Sequence, residues 1–284
     1  MNKNPFFSVI IPTYNRKDFL KVAIDSVLCQ TFENFELIIV DDGSTDGTEN
    51  LVTNYKDIRI NYIHQKHKGV SSARNKGITN AQGKFISFLD SDDRFRKEKL
   101  ETTSRYIKEY PQYKIFHTEE IWYRNGKLLP QKIYHKKPLG LIFKNAVKLC
   151  CISPSTAVIK KDIFSQVGLF DEKLPACEDY EFWLRVTSQF PVFLIPEYLT
   201  VKEGGHPGQQ SKKYPAMDKF RIYALKKILE SGRLNKSNYA AALEEFRNKC
   251  SVYIKGAIKR GKIKEVALYK QLIPEFEKTS TNYA

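Results

Sequence analysis

The first hundred residues alternate between short apolar runs and segments whose apolar positions recur with a helical period. A continuous apolar run of four to six residues is typical of a strand that is buried on both faces of a parallel sheet. Three such runs occur, at residues 6–11, 36–40 and 85–89, and residues 59–64 are predicted as a weaker strand. Between the first two runs, apolar side chains from Phe19 to Leu28 fall on one helical face. This alternation predicts a doubly wound α/β sheet.

The remaining elements are predicted from the same kind of pattern. A polar helix follows the second strand, with Ser44 or Thr45 as its N-cap, and residues 69–81 form another helix. After about residue 96 the pattern loosens, although Asn125-Gly126 indicates a hairpin. Further predicted elements are helices at 97–110 and 178–189, a strand at 155–161, two short strands within 192–202, a loop at 206–215, and two or three basic helices over 216–276.

Polar residues follow three of the predicted strands. They are Pro12-Thr13-Tyr14-Asn15, Asp41-Asp42 and Asp90-Ser91-Asp92. Ligands of open α/β sheets bind outside the carboxyl ends of the strands. The three groups are therefore predicted to form one site.

Three aspartates occupy four positions at the end of the fourth strand, in the segment FLDSDDRF. The carboxylates of Asp90, Asp92 and Asp93 repel one another unless a cation or ordered donors compensate them. Mg²⁺ and Mn²⁺ are hard cations that take carboxylate ligands together with substrate phosphates. The alternative is an acidic turn in which Asp92 or Asp93 caps the following helix. An isolated D-x-D pattern leaves both interpretations open.

Two other groups near the strand ends also have two interpretations. Aspartates favour turns, so Asp41-Asp42 can simply belong to the turn-rich segment DDGSTDG. Alternatively, one of these carboxylates accepts hydrogen bonds from a nucleobase or ribose. Arg74 is either an ordinary helix-surface cation or a ligand of base or phosphate.

Five segments in this order and spacing resemble family 2 glycosyltransferases. They are SVIIPTYNR, IIVDDGSTDGT, GVSSARNKGI, GKFISFLDSDDRF and CEDYEFWLRV, and together they span about residues 6–210. The resemblance implies a glycosyltransferase A-type fold, in which a Rossmann-like nucleotide-binding sheet is fused to an acceptor-binding half. On this basis residues 1–210 are the catalytic domain, with donor binding over about 1–96 and acceptor binding over 97–210. Residues 211–284 are a basic helical C-terminal extension.

The resemblance also implies a nucleotide diphosphate sugar as donor, with a UDP-sugar expected, and a divalent cation, Mn²⁺ or Mg²⁺. Asp92 is the expected metal ligand and Asp90 the second, whereas Asp93 is a candidate helix cap. His206, in the loop EGGHPGQQS, is either a further metal ligand or a histidine without a role. Glycines 204, 205 and 208 would let that loop order when the donor binds. Residues implied to line the nucleotide-sugar pocket are Pro12, Thr13, Tyr14, Asp41, Asp42, Arg74, Asp90 and Ser91.

The family resemblance implies inversion by direct displacement, which needs a base beside the acceptor hydroxyl. Asp179 is the expected base, with Glu178 as the second candidate. Taken alone, the acidic pair would be explained by its place in the first turn of a helix, where carboxylates favour the helix dipole. The acceptor is expected to be a glycan or a lipid-linked molecule in surface polysaccharide synthesis.

Charge is distributed unevenly along the chain. The net charge is +15, and residues 202–270 hold 17 Lys and Arg against 6 Asp and Glu. This segment is either a solvated helical region, packed on the catalytic domain or forming a homodimer, or a peripheral contact with an anionic membrane. A nucleic-acid-binding protein would explain the charge but not the aspartates at the strand ends, so no nucleic acid is expected.

Other features narrow the class of protein. Five cysteines without a C-x-x-C pair indicate reduced thiols, and no apolar run suggests a signal peptide or membrane span. A cytoplasmic protein, which could touch the inner face of the membrane, is expected.

The rival function is a nucleotidyltransferase acting on sugar phosphates, which also combines a parallel sheet with metal-binding aspartates. Such enzymes usually carry a glycine-rich loop after the first strand, whereas this chain has PTYNRKD there.

Overall fold

A computed structural model describes residues 4–131, 135–206 and 214–280. The described residues form nine strands and ten α-helices, and the predicted α/β class is confirmed. Most of the loop predicted at 206–215, including Gly208, lies outside the described residues. The elements in chain order are β1 (Phe7–Thr13), α1 (Lys17–Leu28), β2 (Phe35–Asp41), α2 (Thr48–Thr53), β3 (Ile60–His64), α3 (Val70–Asn80), β4 (Phe85–Phe88), β5 (Asp93–Phe95), α4 (Lys99–Glu109), β6 (Ile115–Arg124), β7 (Lys127–Leu128), α5 (Phe143–Ala146), β8 (Ala157–Lys160), α6 (Ile163–Val167), α7 (Glu178–Thr187), β9 (Phe193–Gly204), α8 (Asp218–Glu230), α9 (Lys236–Lys259) and α10 (Ile263–Ser280).

The strands form one mixed sheet in the order β3-β2-β1-β4-β8-β6-β9-β5, with β7 paired to β6. The four N-terminal strands run parallel, while β8 is antiparallel to both β4 and β6. The short strand β5 pairs antiparallel with β9. This pairing folds the chain after the acidic cluster back beside the C-terminal end of β9, so the two halves of the chain share one sheet.

Two helices cover opposite faces of the parallel part of the sheet. On α1, Leu20, Ala23, Ile24 and Val27 are fully buried at helical spacing. On the other face, α3 lies so close to β1 that a Cβ at Gly77 would come within 2.5 Å of the Ile10 side chain. The glycine therefore allows the close packing that holds α3 beside the strand ends.

Two local predictions are wrong. The polar helix begins at Thr48 rather than after Ser44 or Thr45, because Asp46 accepts hydrogen bonds from the backbone and hydroxyl of Thr48 at 3.1 and 2.6 Å. Residues 193–204 form one strand instead of two. The register with β6 passes from Ile195 to Tyr198, so Pro196 sits in a bulge, where a strand tolerates proline.

The hairpin prediction is confirmed. Asn125 and Gly126 have φ values of 52° and 74°, as a two-residue turn between β6 and β7 requires. The helical C-terminal extension is also confirmed, although the division into domains stays a prediction.

The C-terminal helices pack on the catalytic part of the chain. Ile222, Leu225, Ile228 and Leu229 of α8 are buried in one cluster with residues of α5 and α7. The apolar face of α8 is therefore used for packing within the chain. Within the described residues, we find no helix with the length and hydropathy that a membrane span needs.

Candidate active site

An open cleft of about 1580 Å³ lies at the carboxyl ends of β1, β2 and β4. A smaller cavity of about 290 Å³ adjoins it, and Asp92 lines both. His206 lines the small cavity, and Asp41 lies below the surface of the cleft. The predicted site residues that line the large cleft are Pro12, Thr13, Tyr14, Asp42, Arg74, Asp90, Ser91, Asp92, Glu178 and Asp179.

The segment after β1 presents an aromatic surface to the cleft. The rings of Tyr14 and His67 stack with their centroids 4.0 Å apart, and Tyr14 is 40% exposed. Asn15 adopts a left-handed φ of 49°, and its side chain accepts a hydrogen bond from the Thr45 backbone at 2.8 Å. The buried hydroxyl of Thr13 has no hydrogen-bond partner within the described ranges. This corner therefore offers a stacking surface and a free hydroxyl.

The two aspartates after β2 have different surroundings. Asp41 is buried and accepts hydrogen bonds from the Ser44 backbone at 2.9 Å and the Tyr62 hydroxyl at 2.7 Å. Asp42 lines the cleft, and its buried carboxylate accepts the backbone N–H groups of Lys68 and Gly69 at 2.9 and 2.7 Å and the Gln65 amide at 2.7 Å, while Nδ1 of His67 lies 2.8 Å from it. Asp41 thus shapes the turn, and Asp42 is the one that a ligand can reach.

Arg74 is not a surface cation but lies buried between two acidic groups. Its guanidinium donates to Asp90 and to Glu178, at 2.7 Å each. Burial acts to raise the pKa of Asp90, but the combined effect of the nearby cations Arg74, Lys202 and Arg16 outweighs it, and the pKa is lowered. Burial raises the pKa of Glu178 more than Arg74 lowers it. Arg74 therefore joins the strand-end aspartates to the acidic pair of α7.

The carboxylate of Asp92 contacts two basic side chains, an arginine and a histidine. Its Oδ2 atom lies 2.6 Å from Nη1 of Arg16 and 2.9 Å from Nε2 of His206. The two expected metal ligands Asp92 and His206 are thus adjacent, whereas Asp90 is engaged by Arg74. In the ranges that the structure describes, no three His, Cys, Asp or Glu side chains form a cluster that could hold a metal ion.

The prediction that Asp93 caps a helix is wrong. Asp93 is the first residue of β5, and its buried carboxylate accepts the Ser155 hydroxyl at 2.6 Å and lies 3.4 Å from Nζ of Lys202. Burial, with the neighbouring carboxylates, raises the pKa of Asp93 to about 7 despite Lys202. The next helix begins at Lys99, too far along the chain for Asp93 to cap it.

The two acidic residues at the start of α7 differ in their contacts: Glu178 forms an ion pair, and Asp179 forms none among the described residues. Cys177, with a left-handed φ of 60°, turns the chain into the helix. Glu178 is buried against Arg74, whereas Asp179 is half-buried and has no ion pair among the described residues. The carboxylate of Asp179 accepts the Tyr180 backbone N–H at 2.7 Å and the Cys150 thiol at 3.4 Å. Both donors are neutral, so no cation of the described residues engages the Asp179 carboxylate.

Three residues of the site were not found by sequence reasoning. Arg16 and Lys202 supply the charges beside Asp92 and Asp93, and His67 supplies the ring beneath Tyr14. The position of Arg16 directly after the first strand was a usable signal. No sequence signal points to Lys202 or His67, because their partners lie far away in the sequence.

The family model described as "Glycosyl transferase family 2" matches residues 8–168. An uncharacterized glycosyltransferase of Rickettsia felis is 40% identical over 184 residues, which are 64% of this chain and 30% of that protein. The chain thus spans about a third of that relative's length. The putative teichuronic acid biosynthesis glycosyltransferase TuaG of Bacillus subtilis is 33% identical, with 64% of this chain and 72% of TuaG covered.

The name of another relative specifies both its sugar donor and its acceptor. The Escherichia coli protein WfaP, a UDP-Glc:alpha-D-GlcNAc-diphosphoundecaprenol beta-1,3-glucosyltransferase, is 31% identical over 64% of this chain and 70% of its own.

Solved structures show the same fold at low identity. TarS 1–349 of S. aureus in complex with UDP-GlcNAc has a TM-score of 0.71 at 19% identity, covering 96% of this chain and 92% of that one. The mannosyltransferase PcManGT of Pyrobaculum calidifontis, in complex with GDP-Man and Mn²⁺, has a TM-score of 0.63 at 17% identity, covering 99% and 84%. At these identities the likeness concerns the fold alone.

Proposed function

The chain belongs to glycosyl transferase family 2 and has the glycosyltransferase A-type fold. From this premise we propose that it moves a sugar from a nucleotide diphosphate sugar to a hydroxyl of a glycan or lipid-linked acceptor. One observation carries the proposal. A single cleft joins the strand-end residues of the N-terminal half to the acidic pair Glu178–Asp179. A transferase needs both groups at one place, because it must hold donor and acceptor in reacting orientation.

The donor nucleoside is assigned to the corner formed by Thr13, Tyr14 and Asp42. Tyr14 offers a ring face, and its stack on His67 holds that face in place. The carboxylate of Asp42 is oriented by two backbone donors and by the side chains of Gln65 and His67, so a base or ribose would take the place of one of these side chains. Arg74 orients Asp90 and Glu178, so its expected contact with the nucleotide would require it to leave one of them.

The carboxylate of Asp92 and the imidazole of His206 fit a divalent cation, Mn²⁺ or Mg²⁺. Such ions are commonly held by one or two carboxylates together with substrate phosphates, and imidazole suits Mn²⁺. When bound, the cation would stabilise the negative charge on the departing nucleotide diphosphate. Asp90 is the second candidate ligand, although Arg74 engages one of its oxygens.

Asp179 is assigned as the base that takes the proton of the acceptor hydroxyl. It is the member of the acidic pair that is open to the cleft and lacks a cationic partner among the described residues. Glu178, held by Arg74, would support this arrangement from below. With the base on the acceptor side, attack opposite the leaving group inverts the anomeric carbon, as the family resemblance implies.

The substrate class is supported by what the relatives are named for. TuaG is named for teichuronic acid biosynthesis, and WfaP for transfer from UDP-Glc to a diphosphoundecaprenol-linked sugar. We therefore propose a UDP-sugar as donor, with surface polysaccharide synthesis as the setting.

The test is a donor panel in which UDP-, GDP- and dTDP-sugars are incubated with the protein, with and without Mn²⁺. We expect release of nucleoside diphosphate from one class of donor, dependent on Mn²⁺, because slow hydrolysis occurs even without the acceptor. In a parallel incubation with a nucleoside triphosphate and a sugar phosphate, the rival nucleotidyltransferase would transfer the nucleotidyl group to the sugar phosphate and release pyrophosphate from the triphosphate. Pyrophosphate release without any nucleoside diphosphate would reject the proposal.

Peripheral contact with an anionic membrane is proposed at the turn between α9 and α10. Ile258 and Ile263 are 59% and 79% exposed there, and the exposed cations Lys259, Arg260 and Lys262 lie between them. Apolar side chains within a basic cluster suit an interface with anionic lipid. Because the apolar face of α8 is buried, this turn is the candidate membrane contact within the basic segment 202–270.

Reversing charge at this turn should release the protein from vesicles. Each basic residue near an anionic surface contributes about 1 kcal/mol, so Lys259→Glu with Lys262→Glu should lower partitioning onto phosphatidylglycerol-containing vesicles at least about tenfold. The control is Lys236→Glu at the opposite end of α9, which should bind like wild type. The measurement is the fraction of protein that co-sediments with vesicles at low and at high salt. A wild-type bound fraction that does not change with salt concentration would contradict the assignment.

A further inference from the structure

The oxygen that is best placed to bind a divalent cation is occupied by the chain itself. Oδ2 of Asp92 lies 2.6 Å from Nη1 of Arg16, and Nε2 of His206 lies 2.9 Å from the same oxygen. The Asp92 and Arg16 side chains are 15% and 21% exposed. This ion pair is therefore largely shielded from water but remains at the wall of the cleft, where a ligand can reach it.

We propose that Arg16 competes with the divalent cation for Asp92 and passes to the donor diphosphate when the cation binds. The inference rests on the proposed function, because it assumes that a nucleotide diphosphate enters this cleft. A guanidinium and a metal ion cannot both bind closely to one carboxylate oxygen, since two positive charges would then lie within a few ångströms. Arg16 must therefore release Oδ2 of Asp92 for the metal to bind that oxygen.

The charges around the acidic cluster explain why Arg16 would have a new partner. Each of the three carboxylates has a cation of the described residues beside it: Arg74, shared with Glu178, lies 2.7 Å from Asp90, Arg16 lies 2.6 Å from Asp92, and Lys202 lies 3.4 Å from Asp93. A divalent cation that arrives alone adds positive charge to a cluster that already holds these three cations. A cation that arrives with a diphosphate brings its own negative charge, and guanidinium groups bind phosphate oxygens well.

Of the three cations, Arg16 is the one suited to move. Arg74 is buried and held by two carboxylates, and Lys202 lies opposite Asp93 in the paired strands β5 and β9. Arg16 immediately precedes α1, where its carbonyl accepts the Leu20 backbone N–H at 2.8 Å. The backbone is thus held while a long, flexible side chain lines the cleft, so a change of its rotamer would carry the guanidinium from Asp92 towards a ligand.

The proposal predicts opposite effects of one substitution on two affinities, measured by calorimetry with Mn²⁺ and UDP. Arg16→Gln should bind Mn²⁺ alone more tightly, on the order of tenfold, since the competing charged hydrogen bond is gone. In saturating Mn²⁺ the same variant should bind UDP more weakly by a similar factor. The factor by which Mn²⁺ and UDP strengthen each other's binding should therefore fall.

Two further variants make the test specific. Arg16→Lys keeps the charge and should fall between wild type and Arg16→Gln. Lys21→Gln removes a charge one turn along α1, where Lys21 pairs with Asp25, and should match wild type in both titrations. Unchanged thermal unfolding of each variant shows that the fold is retained.

The outcomes separate this proposal from the proposed function. If Arg16→Gln binds Mn²⁺ no more tightly than wild type, or binds UDP equally well in Mn²⁺, the exchange is rejected even if wild type transfers sugar. If both titrations show the expected signs but no nucleotide sugar is consumed, the transferase function fails and the exchange stands.

Discussion

Asp179→Asn is expected to lower the rate of sugar transfer by about two to four orders of magnitude, the range that a general base contributes. The acceptor hydroxyl must lose its proton as it attacks, and the amide cannot take that proton. Nucleotide binding should stay close to wild type, because Asp179 has no ion pair among the described residues and is not one of the residues assigned to the nucleoside or the cation. Transfer to the acceptor and binding of UDP in Mn²⁺ are the two measurements.

Glu178→Gln is the matched control, because it makes the same chemical change one residue earlier. Glu178 accepts the Arg74 guanidinium at 2.7 Å, so the control should lower the midpoint of thermal unfolding by leaving a buried charge partly unpaired. Asp179→Asn should leave that midpoint nearly unchanged. Transfer by Asp179→Asn at the wild-type rate would reject Asp179 as the base, and loss of transfer in Glu178→Gln without loss of stability would favour Glu178.

The parallel half of the fold could be predicted because its information is local. Each buried strand appears as an apolar run, and each following helix shows its own period. The polar residues at the ends of β1, β2 and β4 then fall at one edge by the geometry of a parallel sheet. For the same reason the sequence predicts the neighbourhood of Thr13, Asp42 and Asp92 without any long-range information.

The partners of those residues could not be predicted because they depend on distant contacts. Arg74 looks like a surface cation on its own helix, and only the approach of Glu178, 104 residues later, makes it a buried link. Asp93 looks like a helix cap, yet its pairing with Lys202 across β5 and β9 makes it part of a strand. Periodicity cannot show such a pairing, since the three residues of β5 are too few to give a pattern.

The difference between adjacent acidic residues likewise depends on their contacts. Asp41 and Asp42 are equivalent in the sequence, as are Glu178 and Asp179. Both members of the first pair are buried but only Asp42 lines the cleft, whereas both members of the second pair line the cleft but only Glu178 is held by Arg74. Neighbouring side chains at a strand end or in a first helical turn point in different directions, so one member can support the structure while the other remains available.

Asp92→Asn should remove the dependence of nucleotide binding on Mn²⁺ and lower transfer by about two to three orders of magnitude, as loss of a group that stabilises the leaving charge does. The amide is a poorer ligand for a hard cation than the carboxylate. Stability should change little, because Arg16 and His206 stand at the wall of the cavities and can be hydrated when their partner is lost.

Comparison with Asp90→Asn makes the assignment of the metal ligand specific. Asp90 holds Arg74, so its amide variant should lose thermal stability while retaining part of its response to Mn²⁺. The measurement is the rise in unfolding temperature when Mn²⁺ is added with UDP, since a ligand stabilises the state that binds it. Wild type and Asp90→Asn should show that rise, and Asp92→Asn should not. If Asp92→Asn retains the full rise while Asp90→Asn loses it, the metal belongs to Asp90, and Arg74 rather than Arg16 is the cation that must give way to it.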